Sequence, residues 1–147
     1  MPLVEKSLLV PYSAAVMFRL VDTVEDYPVF LPWCGGAEVL ARDEVTTKAR
    51  IDIHYRGVRQ SLITTNTKQE CQFMTIELVS GPFQSLTGHW RFLPLADEGC
   101  KIEFRLNYVF SNKILEKLIG PVFDHIAGTF IERFVERADA LHAPPKT

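Results

Sequence analysis

Cysteine is scarce in this chain of 147 residues, and Cys34, Cys71 and Cys100 form no CxxC pair. An odd number of widely spaced thiols builds neither a disulfide framework nor a zinc site, and it suits reduced thiols in a reducing compartment. Charge of one sign is also lacking. Sixteen Lys and Arg stand against 18 Asp and Glu, a formal net charge of -2, so no global field draws in nucleic acid. No run of about eighteen apolar residues is present, which argues against a membrane-spanning helix. Met1 to Lys6 lack the basic flank, apolar run and cleavage site of a secretory signal, so the protein is expected to be soluble and cytoplasmic. No Pro-rich or Ser-rich linker interrupts the chain, and residues 1–147 read as one domain.

The parts of common catalytic sites are missing too. There is no Gly-rich phosphate loop and no nucleophile elbow, and His54, His89 and His125 stand at no ligand or triad spacing. Asp124 with His125, and His89 near Arg91, read as surface residues. The expectation is a protein that is not an enzyme and requires neither metal nor cofactor.

What the chain does have is apolar patterning, with 47% hydrophobic residues. Residues 3–10 form a short apolar run ended by Pro11, and Ser13 stands as a helix N-cap ahead of Val16, Met17, Leu20 and Val21 at helical spacing. Thr47, Ala49, Ile51, Ile53 and Tyr55 alternate with Lys48, Arg50, Asp52, His54 and Arg56, the period of a strand with one dry face. Arg56-Gly57 signals a hairpin into 58–68, and 72–79, 84–95 and 100–110 read as further strands. With 36–42, about seven strands form an antiparallel sheet with one apolar face. The segment 112–141 repeats apolar residues every three or four positions, from Ile114 to Val135, and reads as one long amphipathic helix closing that face. Gly120-Pro121 is a candidate kink.

Between Asp26 and Cys34 the chain reads Asp-Tyr-Pro-Val-Phe-Leu-Pro-Trp-Cys. Pro28 and Pro32 remove two backbone donors and bias Tyr27 and Leu31 away from helix, so the segment is expected to be a loop. It is too apolar to be solvated. It is either a plug closing one end of the core or a lid over a lipid-sized cavity.

A space between sheet and helix would be lined by Ile51, Ile53, Tyr55, Leu86, Trp90, Phe92, Phe104, Leu106, Tyr108, Phe123, Ile126 and Phe130, with Tyr27, Phe30, Leu31 and Trp33 at its mouth. Tyr55, Tyr108, Trp90 and Gln84 combine a donor with an apolar or short stem, so each is a candidate to grip a polar head group; a satisfied core donor is the plain alternative. A second surface is conceivable on the wet side, where Lys48, Arg50 and Arg56 share a strand face and Arg59 follows on its partner. Asp52 interrupts it, and any solvated sheet face carries such charges. No aromatic residue is interleaved with these cations to stack on RNA bases.

This order of elements resembles the helix-grip architecture, of α+β class, of START-type lipid-transfer and polyketide cyclase-like proteins. Tyr27-Pro28-Val29-Phe30-Leu31-Pro32-Trp33-Cys34, then Gly81-Pro82-Phe83 with Leu86-Thr87-Gly88-His89-Trp90-Arg91-Phe92, then Gly99-Cys100-Lys101-Ile102-Glu103-Phe104 resemble its coenzyme Q-binding branch. That branch also holds ribosome-association toxins of the RatA type. The resemblance implies a hydrophobic ligand such as ubiquinone, bound in support of respiration, with transient contact at the inner membrane. Its alternative implication is binding to the large ribosomal subunit so that subunit joining is blocked. Cyclase chemistry, which on such scaffolds works by shaping a bound polyketide, is the third implication.

Overall fold

The computed structural model describes residues 3–96 and 99–142. Its elements are β1 (Leu3–Val10), α1 (Ala14–Asp22), a 3-10 turn (Val24–Asp26), α2 (Tyr27–Phe30), β2 (Cys34–Arg42), β3 (Thr46–Tyr55), β4 (Val58–Gln69), β5 (Phe73–Ser80), β6 (Phe83–Pro94), β7 (Cys100–Phe110) and α3 (Lys113–His142). The strands make one curved antiparallel sheet in the order β1-β7-β6-β5-β4-β3-β2. It is the α+β helix-grip arrangement, a sheet wrapped around a long C-terminal helix.

Local chemistry explains most of the elements. The Ser13 hydroxyl accepts a hydrogen bond from the Val16 N–H at 3.2 Å and starts α1. Between β3 and β4, Arg56 and Gly57 both take positive φ, 51° and 83°, as a two-residue hairpin of matching twist requires. That turn locks the register, so Ile53 faces Gln60, Ile51 faces Leu62 and Ala49 faces Thr64. In β7 every second residue from Cys100 to Phe110 is buried. α3 runs 30 residues with Pro121 inside it, and it buries Ile119, Phe123, Ile126, Ala127, Ile131, Phe134 and Ala138 against the sheet and α1. Each large side chain so buried contributes roughly 1.5–3 kcal/mol, which makes this contact a main source of stability. Not all of its apolar residues are used: Ile114 and Leu118 are 71% and 67% exposed.

The expected loop at Tyr27–Phe30 is instead helical. Pro28 falls in the first turn of α2, where its missing N–H has no intrahelical acceptor to lose. The second proline acts as expected: Leu31, ahead of Pro32, is extended at φ -98° and ψ 111° and ends the helix.

Two ion-paired clamps tie the end of α1 and the 3-10 turn after it to β4 and to the edge strand β2. Lys68, its side chain 8% exposed, donates to both Asp22 carboxylate oxygens at 2.9 and 3.1 Å and to the Thr47 hydroxyl at 3.2 Å. Arg42 grips Glu25 with two hydrogen bonds of 2.8 and 2.9 Å and donates to the Asp22 carbonyl at 3.1 Å. The Arg42 guanidinium holds the Glu25 carboxyl below its ordinary range.

Candidate ligand-binding site

Between the middle of α3 and strands β3 to β7 lies a cavity of about 80 Å³. From α3 come Phe123, Ile126, Ala127 and Phe130; from β6 and β7 come Leu86, Trp90, Phe104 and Leu106. β3 supplies Ile51 and Ile53, β4 supplies Leu62, Thr64 and Asn66, and β5 supplies Met74 and Ile76. Tyr27 and Trp33 close the end. The segment around the two prolines is thus a packed plug that is also part of the cavity wall. Its Tyr27 hydroxyl donates to the Val21 carbonyl at 2.5 Å, and its ring meets Phe30, Phe130 and Phe134 edge-on. Burial holds the Tyr27 phenol far above its ordinary pKa, so it stays protonated.

The sequence reading and the wall coincide at Tyr27, Trp33, Ile51, Ile53, Leu86, Trp90, Phe104, Leu106, Phe123, Ile126 and Phe130. Six expected residues stand outside it, Phe92 among them, which packs between Trp90 and Phe18. Leu31 is buried within the plug, and Phe30 lies over Phe134 with the Arg137 guanidinium 5.4 Å from its ring centre. Tyr55 stacks on His125 with ring centres 6.0 Å apart. The Tyr108 hydroxyl is taken by the Asp124 carboxylate on α3, and burial with that bond pushes the phenol's pKa up. Gln84 is exposed because the pairing of β6 with β7 slips between Phe83 and Ser85. The extra residue there reverses the in-out phase, and Phe83 and Leu86 point inward while Gln84 and Ser85 do not. Of the four donors read as head-group contacts, only Trp90 is in the wall.

Leu62, Thr64, Asn66, Met74 and Ile76 were not anticipated. The signal for those on β4 lay in the hairpin register: counting out from Arg56-Gly57 pairs Ala49 with Thr64 and Thr47 with Asn66, and paired residues share a face. Thr64 and Asn66 are 3% and 6% exposed, and the Thr64 hydroxyl donates to the Asn66 amide oxygen at 3.1 Å. The Trp33 indole N–H is buried with no hydrogen-bond partner. The wall contains no carboxylate, ammonium, guanidinium or imidazole.

The basic residues on the convex face are less concentrated than their alternation suggests. Arg50 is bonded to Glu38 at 2.9 Å and to Asp52 at 3.2 Å. Lys48 is exposed and lies about 20 Å along β3 from His54, the pairing partner of Arg59. Arg56 sits over the Tyr55 ring, 4.9 Å from its centre. Two basic ends therefore flank a neutralised centre.

Among the described residues, no group of three His, Cys, Asp or Glu is placed to hold a metal ion. The buried Cys34 and Cys100 thiols are pushed up to about 11 by desolvation, which keeps them protonated and poorly nucleophilic at neutral pH. Among the described residues no helix is long and apolar enough to cross a membrane.

Comparison with known proteins places this geometry in a family. The model for polyketide cyclase/dehydrase and lipid transport proteins matches residues 10–135. The chain belongs to that family. Over 143 residues it is 38% identical to the ribosome association toxin RatA of Escherichia coli K12, covering 97% of this chain and 90% of the relative. The mitochondrial coenzyme Q-binding protein coq10 of Schizosaccharomyces pombe is 24% identical over 144 residues, 92% of this chain and 86% of that protein. Among solved structures, a START superfamily protein from Mycobacterium smegmatis superposes with a TM-score of 0.75 at 21% identity, covering 95% of this chain and 98% of the other. The Zhui aromatase/cyclase of Streptomyces sp. R1128 does so with a TM-score of 0.79 at 13% identity over 99% of both chains. At these identities the two structures show the shared fold and nothing of the activity.

Proposed function

We propose that the chain binds a polyprenyl quinone or a similar neutral lipid between the sheet and α3, leaves it chemically unchanged, and so supports respiration. The cavity is the observation that carries this reading: an apolar chamber with one hydrogen-bonded polar pair, Thr64 and Asn66, and no charge suits an uncharged ligand with a small polar head. On this measure one water needs roughly 10–15 Å³, so a space of about 80 Å³ admits a ring-sized group and not a polyprenyl tail. Loading therefore requires α3 or the Tyr27–Trp33 plug to move outward. Transfer of the tail from a bilayer into protein is close to neutral, because both are apolar, and selectivity falls to the head.

A ligand of this kind starts in a membrane, and the first turns of α3 suit brief contact with the inner membrane surface. Ile114 and Leu118, four residues apart and exposed, stand beside Lys113 and Lys117, a pairing of apolar and cationic groups that favours anionic bilayers. The direct test is to incubate the purified chain with vesicles containing ubiquinone, re-isolate it, and examine it by native mass spectrometry and solvent extraction. One quinone per chain is the expected result; a chain that emerges empty overturns the reading.

The relative named a ribosome association toxin favours a second reading, association with the ribosome, and we propose the large subunit as the site. Lys48, Arg56 and Arg59 on the convex face would then meet phosphates. Sucrose-gradient profiles of purified ribosomes should show less subunit joining at equimolar protein, and the effect should weaken with salt and in the double variant Arg56→Glu, Arg59→Glu. Unchanged profiles remove this reading.

A further inference from the structure

The cavity wall is almost wholly apolar, which makes its few polar groups informative. Tyr27 spends its hydroxyl on the Val21 carbonyl, and Thr64 spends its proton on Asn66. Two donors are left. The Trp33 N–H belongs to a residue 5% exposed and finds no acceptor. The Asn66 amide makes no side-chain hydrogen bond among the described residues except the one its oxygen accepts from Thr64. A buried donor without an acceptor, here the Trp33 N–H, destabilises the empty state, and a bound acceptor removes that penalty. The oxygen of Asn66 satisfies the buried Thr64 hydroxyl, while its β3 partner Thr47 bonds Lys68 and not Asn66, so the amide N–H is the part of Asn66 that the fold does not use.

From these groups we infer that Trp33 and Asn66 read the ligand's polar head, and that this head is a neutral, carbonyl-bearing ring in its oxidised form. The inference rests on the lipid-binding reading and narrows it. Carboxylate and phosphate heads are excluded because the wall offers no cation and burying an unpaired anion is very costly. The preference for the oxidised ring follows from donor arithmetic. A quinone brings only acceptors, which match N–H groups. A quinol brings two O–H donors, for which an indole N–H has no lone pair, so they fall to the lone pairs left on Thr64 and Asn66, two groups already bonded to each other, while the Trp33 N–H gains nothing from them.

Calorimetric titration with ubiquinone-1, with its anaerobically reduced quinol and with decanoate tests this on wild type, Trp33→Phe and Asn66→Leu. Wild type should bind the quinone about three- to tenfold more tightly than the quinol, and decanoate far more weakly than either, the range set by one or two hydrogen bonds. Trp33→Phe keeps an aromatic plug, and it should lose a similar factor for the quinone while its preference over the quinol shrinks; Asn66→Leu should weaken quinone binding likewise. The assignment is overturned if both variants, shown to melt cooperatively, bind quinone as tightly as wild type. It is equally overturned if wild type takes the quinol or decanoate as well as the quinone, a comparison that needs no variant to fold. Wild type binding none of the three overturns the lipid-binding reading, and this assignment with it.

Discussion

Beneath β1 and the Phe92–Ile102 ends of β6 and β7, toward the C-terminal end of α3, the concave side of the sheet is filled by side chains in mutual contact; beneath β3, β4, β5 and the middle of β6 and β7 the same layer is hollow, and Trp90 stands at the boundary. On the filled side Trp90 stacks on Phe92 and meets Phe134 edge-on, while Phe18 of α1 stands edge-on to Phe92. Ile102, Ile131 and Phe134 there are completely buried. On the hollow side the wall includes Thr64 and Asn66 of β4, and α3 offers Ala127. The two halves share one sheet and one helix, so backbone architecture does not decide which is solid. Side-chain volume does: where small and polar residues face a helix that is held at a distance by rings further along, space remains.

That contrast can be broken by mutation. The largest effect belongs to the filled half, where Phe134→Ala should cost about 3–5 kcal/mol in chemical denaturation; Leu62→Ala, on a wall that already borders space, should cost about 2–3 kcal/mol. Equal losses would mean that both halves are packed alike. Lys68→Met removes the ammonium from between Asp22 and Thr47 and should cost about 2 kcal/mol, because Asp22 is left partly buried without its partner. Ala127→Leu should do the reverse of a core mutation: by filling the cavity it raises stability by about 1 kcal/mol and abolishes quinone uptake. A destabilised Ala127→Leu protein would show that the space is not there to fill.

The smallest effect is a pH dependence on the convex face. Burial, and then the Arg91 cation, hold the His89 imidazole below its ordinary value of 6.5. In the window below 6.5 the unfolded chain therefore binds more protons, so this contribution is complete above 6.5 and is lost as pH falls through the folded value. Denaturation midpoints should decline slightly over that range in wild type and less in His89→Asn. The Glu25 contribution has the same sign but appears only at lower pH, as the carboxyl held by Arg42 is protonated.

Strands β3 and β7 and helix α3 were legible because one face of each is dry, and β7 shows this without exception from Cys100 to Phe110. Three features were not, for separate reasons. Helix α2 was obscured because a proline reads as a helix breaker unless its place in the first turn is known. Gln84 was misplaced because a bulge shifts the period-two phase and leaves no mark in local composition. Thr64 and Asn66 look like surface residues on β4 alone, and only the register set at Arg56-Gly57 turns them inward.

Amide chemical-shift mapping during titration with ubiquinone-1 tests the hollow half as the binding site most directly. Shifts should concentrate at Trp33, Ile51, Leu62, Thr64, Asn66 and Ala127, with β1 and the C-terminal turns of α3 unmoved. Shifts confined to the convex face or to the filled half, at saturating quinone, would contradict it.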